Sequence, residues 1–143
     1  MKIKNPRSCV KSKDNKIVDL CRGKRVLHIW ACDSPYTKDK KEKNMLLYDK
    51  IDDVCNYQLG IDIDTEQIAY LNKFNYKCSE IEWWMMNDEW FDIIIFWETI
   101  EHLMNLEIAF DSLKRFMWKD TLLVVSTPNA YCWMSILLNI LNY

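Results

Sequence analysis

Short apolar segments alternate with longer amphipathic ones along most of this chain. Four segments are apolar enough to predict strands, at 25–29, 57–63, 91–96 and 122–126, and a weaker fifth strand is expected near 76–78. The segments at 91–96 and 122–126 are almost continuously apolar, which is typical of parallel strands covered by helices on both faces. The pattern therefore predicts an α/β protein built on a mainly parallel sheet.

Helices are expected between the strands, where apolar residues recur at helical spacing. Asp64 or Thr65 can cap a helix in which Ile68 and Leu71 share one face. A second helix is predicted from about residue 106 to 117, and a short apolar or amphipathic helix from 133 to 141. Because ligands of such sheets bind beyond the carboxyl ends of the strands, the candidate site residues are those that follow each strand.

The chain has 143 residues, 50% of them hydrophobic, and a net charge of -2. These values are typical of one globular domain and exclude a disordered or strongly basic chain. No apolar run approaches the roughly 20 residues that span a bilayer, and the N-terminus is charged, so we expect a cytoplasmic protein with no membrane span. The six cysteines form no CxxC pair, which favours free buried thiols over a zinc module or a disulfide framework.

Several segments follow one another in a distinctive order. They are V-L-H-I-W-A-C-D-S-P-Y-T at 26–37, G-I-D-I-D at 60–64, F-D-I-I-I at 91–95, E-T-I-E-H-L at 98–103 and S-T-P-N at 126–129. Together they resemble the class I S-adenosylmethionine-dependent methyltransferases over residues 22 to 135. The resemblance implies a Rossmann-like, doubly wound α/β fold in three layers (α/β/α), with about five strands, lacking the last two strands of the family. Residues 1–20 are expected to form a basic N-terminal arm or helix, and residues 21–143 a single methyltransferase-like domain, truncated relative to the family.

The resemblance also implies S-adenosylmethionine as the cofactor and a small molecule, a sugar or a lipid precursor as the methyl acceptor. The implied cofactor-binding residues are His28, Trp30, Ala31, Asp62, Ile63, Glu80, Ile81 and Trp97. The segment from His28 to Ala31 would border the methionine part, Asp62 would bind the ribose, and Ile63, Glu80 and Ile81 would contact the adenine. Glu98 and His102 are the candidate catalytic residues, at the entrance for the acceptor.

A metal site is the alternative use of Glu98, Glu101 and His102, since positions i, i+3 and i+4 lie near one face of a helix. Some methyltransferase relatives bind a divalent metal through such a group. A further histidine used by those relatives is missing, because Asn105 and Leu106 follow instead. We therefore expect a helix start and a substrate pocket here, and no metal.

Trp30 departs from the resemblance, because the family has a glycine where this tryptophan stands. A bulky residue there strains the backbone, and its ring either fills the space of the cofactor or swings out over the sheet edge. Trp97 also replaces a small residue, and residues 119–121 replace a glycine-containing turn. Two functions therefore stay open: an active methyltransferase, and a catalytically impaired pseudo-methyltransferase that acts as an interaction module or is a decayed fragment.

Residues 1–16 contain six basic side chains and one acidic one. Such an arm could contact phosphate groups. We nevertheless do not expect a nucleic-acid partner, because the whole chain is acidic and no aromatic residues are interleaved with the lysines of the arm. An exposed sheet edge and the apolar helix at 133–141 favour a homodimer or another partner protein.

Overall fold

The computed structural model of the protein describes residues 13–80 and 89–127. Its helices and strands are, in chain order, α1 (Lys13–Cys21), β1 (Arg25–Ile29), α2 (Thr37–Glu42), α3 (Leu47–Asp52), β2 (Tyr57–Asp62), α4 (Thr65–Asn72), β3 (Cys78–Glu80), β4 (Phe91–Phe96), α5 (Leu106–Leu113) and β5 (Met117–Val125). Two short 3-10 helices, Ile100–His102 and Lys114–Phe116, flank α5. Residue Ile81 and the helix predicted at 133–141 lie outside the described residues.

The five strands form one parallel sheet in the order β3-β2-β1-β4-β5. The chain runs outward from β1 to β3 and then returns to the other side of β1 for β4 and β5. Strand order therefore reverses between β1 and β4, where Ile29 pairs with Phe96. A doubly wound sheet binds its ligand at this reversal, beyond the carboxyl ends of the strands. The predicted Rossmann-like fold is confirmed.

Helices cover both faces of this sheet. On one face, α1 and α3 bury Ile17 and Ile51 against β1 and β4. On the other face, α5 and the 3-10 helix that follows it bury Leu113 and Phe116 in a second cluster. Each such side chain stabilises the fold by about 1.5–3 kcal/mol when fully buried. The result is the expected three-layer architecture.

The strand β2 passes very close to α3 at Gly60. A Cβ atom at this position would lie 2.7 Å from Cε2 of Tyr48 and 2.9 Å from Sγ of Cys78. His28 is the sheet neighbour of Gly60, and its ring stacks on that of Tyr48 with 5.9 Å between centroids. Glycine is needed here because the Tyr48 ring takes the space of a side chain.

The helices α4 and α5 both start at a side-chain cap. Asp64 accepts a hydrogen bond from the Gln67 N–H at 3.0 Å, so Asp64, of the two predicted residues, is the cap. Asn105 does the same for the Ile108 N–H at 3.1 Å. The helix α5 ends at Leu113 and tightens into the 3-10 turn, whereas the prediction continued it to 117.

The strand β5 begins earlier than predicted. Met117 pairs with Phe91, and regular pairing resumes with Leu122 opposite Ile93. Between these pairs β5 advances five residues where β4 advances two. Thr121 holds this bulge, since its Oγ1 donates to the Phe91 carbonyl at 2.6 Å and accepts from the Trp118 N–H at 2.7 Å. The segment predicted as a turn is therefore a bulge inside an outer strand.

The helix α1 packs into the core of the domain. Ile17 and Cys21 on this helix are 5% and 0% exposed. Residues 13–20, which the sequence assigned to an N-terminal arm or helix, are thus helical and attached to the sheet. In the part of the chain that the structure describes, no helix combines the length and the apolar character needed to cross a bilayer.

The described cysteines are all free thiols. Cys21, Cys32 and Cys78 are buried, and Cys55 is half-buried. Burial raises the pKa of the Cys21 thiol to about 12, and a hydrogen bond with Cys78 together with burial raises that of Cys32. The thiols of Cys21 and Cys32 therefore stay protonated at neutral pH, as expected of structural cysteines.

Candidate functional site

A cavity of about 240 Å³ opens beyond the carboxyl ends of β1 and β4. Among the described residues its lining consists of Trp30, Asp33, Ser34, Tyr36, Trp97, Glu98 and His102. The site residues predicted at 30, 97, 98 and 102 therefore come together around one space. The other three belong to the loop after β1, for which the analysis of the motif predicted no individual roles. We call this space the cleft.

Trp30 forms one wall of the cleft and has a backbone φ of 64°. This left-handed conformation suits a glycine and costs another residue roughly 1–2 kcal/mol. The Trp30 N–H donates to the Ile61 carbonyl at 2.8 Å, and the indole packs against the core of the α5 face. The loop thus keeps the backbone path of a glycine, while the side chain occupies space that a glycine would leave open.

Asp62 ends β2 and is 1% exposed. Its Oδ2 accepts the Cys32 N–H at 2.8 Å, and its Oδ1 accepts the N–H groups of Ile63 at 2.8 Å and Asp64 at 3.1 Å. The carboxylate therefore fastens the loop after β1 to the end of β2. Three of the roughly four acceptor positions of the carboxylate are thus occupied, and one position on Oδ2 is left for a ribose hydroxyl.

His28 and Ala31 lie under the loop and not on the wall of the cleft. Both are buried, at 1% and 2% exposure. Neither ring nitrogen of His28 has a hydrogen-bond partner among the described residues, and burial lowers its pKa to about 3. The imidazole is therefore neutral and packs as an aromatic ring against Tyr48.

Two other residues that are predicted to bind the adenine lie at the carboxyl ends of neighbouring strands. Ile63 follows β2 and is 56% exposed. Glu80 ends β3 and pairs in register with Asp62. Both positions therefore belong to the same carboxyl edge of the sheet as the cleft.

Further polar contacts fix the loop after β1. The Ser34 hydroxyl donates to Oδ2 of Asp64 at 2.6 Å, and this hydrogen bond is the main cause of a lowered pKa of Asp64. Asp33 forms an ion pair with Lys40. These contacts hold the residues between Trp30 and Tyr36 against α2 and α4.

Glu98 stands at the opposite wall, after β4, with a φ of 42°. Its N–H donates to the Ser126 hydroxyl at 3.0 Å, and its Oε1 accepts from Lys13 Nζ at 2.6 Å. Lys13 Nζ also lies 4.2 Å from the centroid of the Trp97 ring. Sequence reasoning missed Lys13 at this site, because 85 positions separate it from Glu98 and no local pattern links the two.

His102 ends the 3-10 helix Ile100–His102, and its N–H donates to the Thr99 carbonyl at 2.9 Å. Its side chain is exposed and faces the cleft. The side chain of Glu101, the third member of the alternative metal site, lies outside the described part of the structure. Among the side chains that are described, no three of His, Cys, Asp or Glu are grouped as metal ligands would be.

Comparisons with known proteins identify the family and the fold. Residues 13–141 match a family described as a methyltransferase domain. No curated protein matches the chain significantly. Among solved structures, coclaurine N-methyltransferase bound to N-methylheliamine and SAH is similar, with a TM-score of 0.53 and 18% identity over 86% of this chain. The chain spans 38% of the length of that enzyme.

A second similar structure is a Pseudomonas syringae protein described as a methyltransferase. Its TM-score is 0.50 at 12% identity, covering 76% of this chain and 71% of the other. At such low identities these two structures support the fold alone, whereas the family match extends over nearly the whole chain. Together with the strand order and the motifs at the strand ends, that match shows that the chain belongs to the class I S-adenosylmethionine-dependent methyltransferase family.

Proposed function

We propose that this chain transfers a methyl group from S-adenosylmethionine to a small-molecule acceptor, such as a sugar or a lipid precursor, in the cleft. The observation that carries the proposal is the convergence of Trp30, Trp97, Glu98 and His102. They come from the loop after β1, the end of β4 and the following 3-10 helix. Ligands of doubly wound sheets bind at such a strand reversal.

The backbone of the site is compatible with the cofactor, whereas the side chains of Trp30 and Asp62 fit it less well. The left-handed residue at position 30 preserves the loop path that a glycine would give, and Ile63 offers an exposed apolar side chain beside Asp62. Against the fit stand the Trp30 ring and the engaged Asp62 carboxylate. In this proposal Trp30 and Trp97 border the methionine part, the buried His28 and Ala31 support them from below, and Asp62, Ile63, Glu80 and Ile81 serve the adenosine.

The cofactor supplies an electrophilic methyl group, so the chief task of the protein is to position the acceptor. Glu98 and His102 flank the cleft on the acceptor side. A carboxylate or an imidazole at this place can accept the proton that an acceptor group loses when it is methylated. These two residues are therefore our candidates for catalysis.

The Trp30 ring supports a second candidate function, a scaffold of the same fold whose cofactor site is blocked. The cleft measures about 240 Å³, and ligand pockets usually hold about 300–1,000 Å³. Because the strained backbone is already present in the structure, the fold bears its cost, and what position 30 sets against binding is the bulk of the ring. Such a protein would act through an interaction surface.

Calorimetric titration with S-adenosylmethionine and S-adenosylhomocysteine distinguishes the two functions. An active methyltransferase binds at least one of them at micromolar concentration. A blocked scaffold does not bind, but Trp30→Gly and Trp30→Ala should both gain at least about tenfold in affinity, because both remove the ring. If only the glycine variant gains, the backbone rather than the ring limits binding.

Trp118→Ala is the matched control, since Trp118 is 66% exposed and lies near the start of β5, at the opposite end of the sheet. It should leave the affinity unchanged. Failure of the folded wild-type protein and of both Trp30 variants to bind either compound would contradict both candidate functions.

A cytoplasmic location also belongs to this proposal. Cys21, Cys32 and Cys78 are buried free thiols. Unpaired cysteines are the rule in reducing compartments.

A further inference from the structure

The turn after β4 carries a candidate catalytic residue in an unfavourable backbone conformation. Glu98 has a φ of 42°, in the left-handed region that favours glycine. A residue with a side chain keeps this conformation only where the surrounding structure enforces it. Other groups of the protein therefore have to hold Glu98 in place.

Ser126 provides the contact that holds Glu98. Its hydroxyl accepts the Glu98 N–H at 3.0 Å, and the residue is only 8% exposed. The Ser126 N–H donates to the Phe96 carbonyl at 3.0 Å, which continues the pairing of β5 with β4 beyond Val125 and Phe96. The sheet itself therefore fixes the position of this hydroxyl.

A second hydroxyl closes the same turn from within. Thr99 is fully buried, and its Oγ1 donates to the Trp97 carbonyl at 2.5 Å. The Thr99 carbonyl accepts the His102 N–H at 2.9 Å. These contacts connect the turn to the following 3-10 helix, but neither of them involves Glu98. In the described part of the chain, Ser126 is thus the hydrogen-bond partner of the Glu98 backbone.

Loss of the Ser126 hydroxyl would change the direction of the Glu98 side chain. The Glu98 N–H would lose its acceptor, which is unfavourable in a half-buried turn, and the strain of the positive φ would no longer be offset. A return to a negative φ rotates the Cα–Cβ bond and moves the carboxylate away from the wall of the cleft. The hydroxyl therefore determines where this carboxylate lies.

Ser126 exerts this effect from outside the cleft. It is not among the described residues that line the cleft, and 28 positions separate it from Glu98. It is the first residue of the S-T-P-N segment, to which the analysis of the motifs assigned no role. The structure thus gives this segment a task at the site.

We propose that Ser126 is a positioning residue for Glu98, whose hydroxyl holds the turn after β4 in the conformation that directs the carboxylate to the acceptor side of the cleft. The inference rests on the proposed function for the role of Glu98 as a candidate catalytic residue. The geometry on which it depends can be tested without cofactor or acceptor.

The test locates the Glu98 carboxylate by cross-linking it to Lys13 in the full chain. Lys13 Nζ lies 2.6 Å from Oε1 of Glu98, and the two side chains are 45% and 41% exposed. A water-soluble carbodiimide activates the carboxylate, the amine attacks it to form an amide, and the carbodiimide leaves as a urea. Mass spectrometry after proteolysis gives the yield of this amide.

We expect Ser126→Ala to lower the yield of the Lys13–Glu98 amide at least about fivefold, because the carboxylate leaves its place. Ser126→Thr keeps the hydroxyl and should retain a yield within about twofold of the wild type.

An amide between Lys38 and Glu66 is the internal control. Lys38 Nζ lies 3.2 Å from Oε1 of Glu66, and these residues belong to α2 and α4. The yield of this amide should be the same in all variants, whereas a general loss of structure would lower both yields. Ser112→Ala is the matched variant, since it removes a hydroxyl that donates to the Ile108 carbonyl at 2.8 Å on α5. It should change neither yield.

An unchanged Lys13–Glu98 yield in Ser126→Ala would overturn the proposal, as would a yield in Ser126→Thr as low as that in Ser126→Ala. If both amides are lost in parallel because Ser126→Ala does not fold, Ser126→Cys decides. A thiol is a weak acceptor, so the Lys13–Glu98 yield should fall at least about twofold while the control amide is kept, and an unchanged yield would contradict the proposal. Because the reaction contains no cofactor, its failure leaves the calorimetric test of methyl transfer intact.

Discussion

Individual residues depart from ordinary geometry where the sheet meets the cleft. Trp30 and Glu98 have positive φ angles, and His28 beneath them has two buried ring nitrogens without partners. Each feature costs stability, since strained backbone and unpaired buried polar groups are unfavourable. They lie at the carboxyl ends of β1 and β4, the edge at which doubly wound sheets bind their ligands.

His28 makes the fold sensitive to acid. Its pKa is lowered to about 3 in the fold by burial, from about 6.5 in the unfolded chain. Between these values only the unfolded state binds the proton, so stability is full above pH 6.5 and falls by about 1.4 kcal/mol per pH unit below it. We expect the wild type to lose about 2 kcal/mol more than His28→Leu between pH 7 and pH 5.

Urea unfolding of both proteins at the two pH values measures this difference. The comparison of slopes cancels the change in packing that the leucine makes against Tyr48. Equal pH dependence in the two proteins would mean that the native fold also protonates His28.

At the scale of elements, the N-cap residues of α4 and α5 differ in the further hydrogen bonds that they accept. Asn105→Ala removes only the cap of α5 and should cost about 1 kcal/mol. Asp64→Ala removes the cap of α4 and also the acceptor of the Ser34 hydroxyl. It should cost about 2 kcal/mol, measured as the free energy of unfolding in urea.

A double-mutant cycle isolates the second part of that cost. Ser34→Ala should destabilise the wild type by about 0.5–1.5 kcal/mol and have little effect in the Asp64→Ala background. Additive losses would show that the Ser34 hydroxyl has another partner in the folded protein.

The strands, the caps and the place of the cleft were predictable because each depends on local signals. The runs at 25–29 and 91–96 coincide with β1 and β4, and Asp64 stands where a cap is expected. The early start of β5 was not predictable, because Met117 becomes a strand residue only by pairing with Phe91. Nor was the ion pair of Lys13 with Glu98, which requires α1 to pack beside the end of β4.

The burial of His28 and the hydrogen-bond partners of Asp62 could not be predicted from the sequence for a related reason. A residue at a strand end can face a ligand or the protein, and the path of the following loop decides between them. Here the loop after β1 folds over β2, and it brings the Cys32 N–H to Asp62. The motif therefore indicated the sheet edge at which the cleft opens, but it did not show which side chains line the cleft.

At the scale of the whole molecule, β3 and β5 are the outer strands of the described sheet. Leu122 and Val125 on β5 are 45% and 41% exposed within that part of the structure. Outer strands with exposed apolar residues tend to pair with other chains. We therefore keep the proposal that this edge is the surface for a homodimer or a partner protein.

Sedimentation velocity over a range of protein concentrations tests that surface. We expect the wild type to associate as concentration rises, and Leu122→Lys to reduce the association constant by about tenfold or more, because a lysine on an outer strand opposes strand pairing. Identical association by Leu122→Lys, or a wild type that is monomeric at all concentrations, would contradict a homodimer through β5.

The single carboxylate of Asp62 ties together three amide protons, those of Cys32, Ile63 and Asp64. Groups that share one acceptor are released by one opening event, so these amides should show the same protection against deuterium exchange, each relative to its own intrinsic exchange rate. That protection reports how often the loop after β1 lifts from β2. Asp62, the residue expected to bind the ribose, is thus also the residue that fastens the loop after β1. Binding of an adenosine should therefore change the hydrogen exchange of all three amides together.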